Sequence, residues 1–462
     1  MKIGEKSSFF VFSTGESTIG NTAEEIYYAL IHARRSGKKL LLLRRYSLFG
    51  LPQIANTEIF KLDSPHFLGR GRQILEITGN LLISALFGHL PALWRYVAVN
   101  LERLARFAAS GLAYVFGGQR RSRPRFVYRR YRHLFFTPNF GLELLWNPSL
   151  SKTFSWETVR SYEWGKQIHQ PLSVAIRAKK AVRARSALQR MGIERGRDWY
   201  VCWHVREGGF RSDKNSPRNG DIMLSVKAMQ AIVQAGGWVV RLGDKTMTRL
   251  PKLERVIDYP FSEFKSELMD LYLIQNCRFY VGMPSGPIDI AHLFQKQTLS
   301  IGSTETVMTP TPRKNTLAIK KHVYSRQKQR FLSLKEQMGE PYSMHQLYGV
   351  DEDYLFIENS PDEICDAVME AFERSQDPDR EYSALQIEFI RKREEMVRGY
   401  FSEVHPLHGN DKIFGIDLDV FEKYRHGSRV LDSKGTLGQK FLESYWEKPP
   451  QLQVDSLSAL KL

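Results

Sequence analysis

Runs of apolar residues, broken at intervals by glycine-marked polar loops, divide much of the chain into alternating strands and helices. The clearest case lies between Asp198 and Asp244. Trp199 to Val205 is an unbroken aromatic and β-branched run, the pattern of a buried strand, and it leads into a polar loop. His204, Arg206, Glu207, Gly208 and Gly209 gather there. Met223, Val226, Met229, Ile232 and Val233 then recur at helical spacing, Gly236-Gly237 stops the helix, and Trp238 to Leu242 predicts a second buried strand closing on Gly243 and Asp244. The unit is βαβ, with two polar strand ends on one edge.

The same alternation continues on both sides. Phe9 to Phe12, Thr22 to Arg35 and Lys39 to Leu43 predict strand, helix and strand, and the loop from Ser13 to Asn21 carries Gly15, Gly20 and Asn21 to the helix start. Such an N-terminus can hold an anion or a sugar hydroxyl, but GxGxxG and Walker spacings are absent, so an ordinary capped turn fits the loop too. Ser155 to Met191 reads as helical. Beyond Asp244, Val256-Ile257 predicts a brief strand, Ser262 to Gln275 a helix carrying Asp270, and Arg278 to Val281 a strand delivering Gly282, Ser285, Gly286 and Pro287. Ile288 to Phe294 is the next helix and Thr298 to Ile301 a fourth strand. Pro310 to Leu347 is basic and poor in pattern, which predicts loop with one short helix. Helices follow over Pro361 to Arg374 with a Ser360 cap, over Tyr382 to Tyr400, and from Val420 through Trp446.

Strands alternating with helices predict an α/β chain with a parallel, doubly wound sheet, whose ligands bind outside the carboxyl ends of the strands. Gly192 and Gly196 mark a domain boundary. The expected organisation is a Rossmann-like domain over 1–192 with a helical insertion over about 71–135, a second over 193–375, and C-terminal helices over 376–462 packing back on the first.

Composition narrows the class. With 462 residues and 42% hydrophobic content the chain builds ordinary cores, and a net charge of +17 favours an anionic partner: nucleic acid, an anionic membrane surface or a nucleotide sugar. Leu81 to Phe116 is strongly apolar but broken by His89, Pro91 and Arg95, and a basic, aromatic run from Arg120 to Arg132 follows. Helices dipping into anionic headgroups and helices packed in a core both fit this pattern. Interleaved aromatics also suit single-stranded nucleic acid, yet no RNP, zinc-finger or helix-turn-helix pattern accompanies them, so no nucleic-acid partner is expected. Phe9 to Phe12 is too short for a signal peptide, and no run of about 18 uncharged apolar residues occurs. Cys202, Cys277 and Cys365 lie far apart without CxxC spacing, as core thiols of a reducing compartment do. The expected location is cytoplasmic, with peripheral attachment to the inner face of the plasma membrane where the apolar helices face lipid.

The candidate chemistry sits on the strand ends. Arg206, beside glycines that let a ligand approach the backbone, can grip a diphosphate bidentately, with Gly282, Ser285 and Gly286 facing it from the third strand. His204 and Arg206 share one face of the strand end. Glu207, Asp213 and Asp221 are the nearby carboxylates able to take a proton, with Glu207 the first choice as the closest to Arg206 although that cation weakens it as a base. Asp244 can accept from a base or ribose, and Asp270, inside a helix, is at least as suited to an N-cap or a salt bridge. No metal is expected.

His204-Val-Arg206-Glu-Gly-Gly, Trp238-Val-Val-Arg-Leu-Gly-Asp244, Ser266-x-x-x-Asp270 and Tyr280-Val-Gly282-x-x-Ser285-Gly286 together resemble the C-terminal half of GT-B glycosyltransferases of the fucosyltransferase-like superfamily. More narrowly, the stretch Trp199 to Ser303 is similar to bacterial glycosyltransferases found with surface-polysaccharide genes. The resemblance implies two Rossmann-like domains facing a cleft, with helical additions. It implies metal-independent hexosyl or fucosyl transfer from a nucleotide sugar to a glycan or lipid-linked acceptor in lipopolysaccharide or capsule synthesis, with no cofactor. By it, Arg206, Gly208, Gly209, Ser285 and Gly286 hold the donor diphosphate, and Gly243, Asp244, Asp270 and Gly282 the nucleotide. Gly15, Gly20 and Asn21 fall on the acceptor side. The chain departs where the superfamily often continues to an aspartate: Gly208-Gly209-Phe210 stands there and the next acid is Asp213. The base is therefore open among Glu207, Asp213 and His204. A non-catalytic nucleotide- or sugar-binding protein is the rival reading, and a nucleic-acid-binding protein using Arg120 to Arg132 a further one.

Overall fold

The structure, a computed structural model, describes residues 9–13, 19–35, 37, 39–43, 56–67, 171–209, 216–304, 313–340, 353–402, 412–413, 416–417 and 433–451. The expectations for Gly15, for the 81–116 stretch, for Arg120 to Arg132 and for Asp213 lie outside them. The chain divides into two units: Met1–Glu16, Tyr28–Pro52 and Pro65–Val159 form one, and Ser17–Tyr27, Gln53–Ser64 and Arg160–Leu462 the larger.

The N-terminal alternation gives β1 (Phe9–Ser13), α1 (Ile19–Arg35) and β2 (Lys39–Leu43). β1 and β2 pair in parallel from Phe9↔Lys39 to Ser13↔Leu43. In the larger unit β3 (Leu62–Asp63) pairs antiparallel with β4 (Ala175–Ile176), and α2 (Ala178–Arg190) follows. Residues 171–177 are thus not helical as expected: Pro171 lacks a backbone N–H, and the segment spends its hydrogen bonds on β3 instead.

The main sheet begins with β5 (Tyr200–His204), then α3 (Val226–Gln234), β6 (Trp238–Arg241), β7 (Val256–Asp258), α4 (Glu267–Asn276), β8 (Tyr280–Gly282), α5 (Gly286–Leu293) and β9 (Thr298–Ser303). Next come β10 (Leu317–Lys320), β11 (His322–Ser325), β12 (Arg330–Phe331), α6 (Leu334–Met338), β13 (Tyr354–Ile357), α7 (Pro361–Gln376) and α8 (Ala384–Ser402). β14 (Lys412–Ile413), β15 (Ile416–Asp417), β16 (Thr436–Leu437) and α9 (Gln439–Tyr445) close the described chain.

Seven strands form one sheet in the order β16-β10-β9-β8-β5-β6-β7, and every pairing is parallel. Read from β7 to β10, the chain winds outward from β5 in one direction and then returns to wind from its other side, the Rossmann-like doubly wound order. β5 borders the switch point, is buried throughout, and sends alternate side chains to opposite faces of the sheet. Val201, Trp203 and Val205 join a core completed by Ile232 of α3, Val368 of α7, Phe389 of α8 and Leu442 of α9. Tyr200, Cys202 and His204 face the opposite layer, where the Tyr200 hydroxyl donates to Leu273 O of α4 at 2.9 Å. Cys202 and Cys277 are buried free thiols and Cys365 is half-buried.

Two further expectations need correction. Within the stretch expected to be loop with one short helix, the described residues 313–340 hold that helix, α6, but also strands: β10 extends the main sheet, and β11 pairs with β12 and β13 in a small antiparallel one. The apolar pattern is hidden there because Lys320, Lys321 and His322 are buried, the last two on Glu358 and Glu363. The tail before Trp446 is not continuous helix either, since β16 adds to β10 before α9 starts. The larger unit reaches back to Arg160 and runs through the C-terminal segment. The described part of that segment places Phe389, Leu437, Phe441 and Trp446 in the core of the seven-stranded sheet.

Candidate functional site

Between β5 and β8 the winding reverses, so the two following loops diverge and leave a crevice at the carboxyl edge. His204 ends β5 and Gly282 ends β8, paired in register. A Cβ at Gly282 would lie 2.8 Å from His204 O, so only glycine lets the strands close here. The chain then passes Met283 and Pro284 to Ser285, which caps α5 without a side-chain bond to the helix. Ser285 Oγ instead lies 3.0 Å from Met283 O, to which it donates, and 3.1 Å from His204 Nδ1. His204 is 6% exposed, and burial, reinforced by Arg241, lowers its pKa to about 4. The imidazole is neutral at pH 7 and serves as a polar buttress behind the serine.

The start of α1 lies against the start of α5. A Cβ on Gly20 would meet Gly286 Cα at 2.5 Å and Asp289 Oδ2 at 2.7 Å, and one on Gly286 would meet Gly20 N at 3.0 Å. Two helix N-termini, each carrying partial positive charge, therefore converge beside Ser285. Gly20, expected on the acceptor side, and Gly286, expected at the diphosphate, are neighbours. Asn21 occupies the same turn of α1.

Two arginines approach the edge from the loop after β5. Arg206 donates from Nη1 to Asn219 Oδ1, and its carbonyl accepts from Gly220 N at 2.9 Å. Arg218, on that same return loop, donates from Nη2 to Pro284 O at 2.7 Å, one residue from Ser285. Arg218 was not singled out by sequence. It stands in Ser-Pro-Arg-Asn-Gly, where the only signal is a turn dipeptide, Asn-Gly, beside a cation.

Glu207 turns away from this crevice. It accepts from Arg241 Nη2 at 3.1 Å, Thr248 N at 2.7 Å and Thr248 Oγ1 at 2.9 Å. Arg241 is fully buried and also donates from Nη1 to Asp258 Oδ1 at 2.9 Å, so two strand-end carboxylates neutralise one core guanidinium. Gly208 and Gly209 follow Glu207 in a turn, and a Cβ on Gly209 would meet Thr246 Oγ1 at 2.6 Å. Asp244 folds its carboxylate back on its own loop, accepting from Thr246 N at 2.7 Å, and Gly243 supplies the positive φ of 151° before it. Asp270 is half-buried at the start of α4, where Ser266 rather than Asp270 caps the helix by accepting from Met269 N. Burial raises the Asp270 pKa against the opposing pull of Lys265, with which it forms an ion pair. His204, Arg206, Ser285, Gly282, Gly286 and Gly20 thus come together, while Glu207, Asp244 and Asp270 sit on the β6–β7 side.

Among the described residues no cluster of His, Cys, Asp and Glu is arranged to hold a metal ion. Asp-x-Asp spacing does occur at Asp351–Asp353, Asp377–Asp379 and Asp417–Asp419, but none of these pairs follows a strand of the carboxyl edge around β5. No helix of the described residues is long and apolar enough to cross a membrane.

Strand order defines the larger unit as a Rossmann-like α/β assembly, with Arg206, Arg218 and two helix starts near the carboxyl edge at its switch point. No protein-family model matches the chain, and neither a curated protein nor a solved structure matches it.

Proposed function

We propose that the chain is a glycosyltransferase of GT-B type that moves a sugar from a nucleoside-diphosphate donor to a glycan or lipid-linked acceptor of a surface polysaccharide. The observation that carries this reading is the convergence of Arg206, Arg218, Ser285 and two helix N-termini at the switch point of a parallel sheet. A diphosphate is a ligand whose charge suits two arginines and two helix starts. The nucleoside would lie toward β6, where Gly243 and Asp244 end the strand.

In the reaction, an acceptor hydroxyl oxygen bonds to the anomeric carbon as the bond from that carbon to the donor phosphate oxygen breaks. The electron pair leaves with the diphosphate, whose developing charge the arginines and helix dipoles stabilise. The hydroxyl proton passes to a base. Both Glu207 oxygens are engaged by Arg241 and Thr248, and a buried imidazole with a pKa near 4 accepts protons weakly at neutral pH. Asp213 is the remaining candidate of the three. The engagement of Glu207 also favours the second reading, a nucleotide-sugar-binding protein that transfers nothing.

A thermal-shift screen against nucleoside diphosphates and their sugars tests the binding half, because a ligand taken up only by the folded chain raises its melting temperature. A rise for one nucleotide class, with release of the nucleoside diphosphate from its sugar, supports transfer. A rise without turnover supports the binding protein, and no rise with any nucleotide removes both.

A further inference from the structure

We propose that the buried pair Lys321–Glu358 is a latch that positions the loop Ser216–Gly220, and through it Arg206 and Arg218, over the carboxyl edge. Lys321 is the first residue after β10 and is 3% exposed. Its backbone N donates to Ser303 O at 2.9 Å, which fixes it to β9. Its ammonium reaches across the edge to donate to Asn219 O at 2.6 Å and forms an ion pair with Glu358, just after β13. Asn219 is the hub of the loop: its backbone carbonyl takes the lysine and its side-chain oxygen takes Arg206. Gly220 N closes the loop on Arg206 O, and Arg218 is braced on Pro284 O.

The steric frame around the latch leaves little slack. A Cβ on Gly220 would come within 2.6 Å of Met283 Sδ, and one on Gly302 within 2.8 Å of Met283 Cε, so Met283 is wedged between the loop and the end of β9. Gly302 holds φ at 58°, and a Cβ there would touch Lys321 Cε at 3.6 Å. Burying an ammonium and a carboxylate brings a desolvation cost that an apolar pair of similar size avoids. What the apolar pair lacks is a point donor able to hold a carbonyl and a carboxylate from two separate segments. Lys321 and Glu358 act through the loop, so they are positioning residues.

The latch rests on the reading of the edge as a diphosphate site, and its test separates the two. The full chain is compared with Lys321→Met and with the double variant Lys321→Met/Glu358→Leu, which leaves no unpaired charge behind. Amide exchange of the 216–220 segment is followed without ligand, and inorganic pyrophosphate is titrated calorimetrically. The expected result is faster exchange confined to that segment in both variants, an unchanged melting temperature in the double variant, and pyrophosphate affinity weakened about tenfold or more. Wild-type exchange and affinity in the double variant would overturn the latch. Faster exchange in a chain that binds no pyrophosphate even as wild type would keep the latch and remove the diphosphate reading.

Discussion

Among single residues, Glu207 and His204 carry the sharpest consequences. Glu207 neutralises a guanidinium with no exposed surface, so its loss is felt in the fold before any chemistry. Glu207→Gln is expected to lower the unfolding free energy by about 1–3 kcal/mol in urea titrations, the range for a lost hydrogen bond to a charged group. A variant as stable as wild type would show that the Arg241 pair contributes nothing measurable. His204 gives a pH signature. The unfolded imidazole takes its proton near 6.5 and the folded one only near 4. Between those values the unfolded chain binds more protons, so this contribution is complete above the upper value and is lost as pH falls through the lower. Its full size is on the order of 3 kcal/mol. As pH falls across that window, the unfolding free energy should drop less steeply in His204→Gln than in wild type, and equal slopes would refute the assignment.

At the scale of elements, the strongest packing statement concerns α1 and α5. Alanine in place of an exposed helical glycine stabilises by up to about 1 kcal/mol. Gly20→Ala is expected to do the reverse, because its methyl would press on the Gly286 backbone; a cost of about 1–3 kcal/mol follows from such overpacking. A melting temperature at or above wild type would mean the two helix starts are not in contact. Elements with an unmixed pattern were legible from sequence: β5, β6, β8 and β9 are fully or nearly fully buried, so their runs are apolar, and glycines mark their ends. β10 and β11 were not, since buried Lys320, Lys321 and His322 imitate a polar loop until the partners Glu358 and Glu363 are known. The site divides the same way. Arg206, His204, Ser285 and Gly286 follow strands that sequence locates, whereas Arg218 reaches the edge only through the return of its loop. The role of Arg241 was equally hidden, because an arginine inside a strand reads as surface until two carboxylates meet it.

For the whole molecule, a net charge of +17 favours anionic ligands at long range, and Arg206 and Arg218 near the sheet's switch point favour them at short range. Long-range attraction weakens with salt, whereas a diphosphate seated between arginines and helix starts is screened less. Affinity for the seated ligand should therefore depend on Arg206 far more than on ionic strength. The most direct measurement is calorimetric titration of nucleoside diphosphates into the wild-type chain and into Arg206→Ala at matched salt. Saturable binding by the wild type and a loss of about 2–5 kcal/mol in the variant is the expected outcome, the cost of leaving a buried charge unpaired. Equal affinity in the two proteins would contradict the assignment of this edge as a diphosphate site.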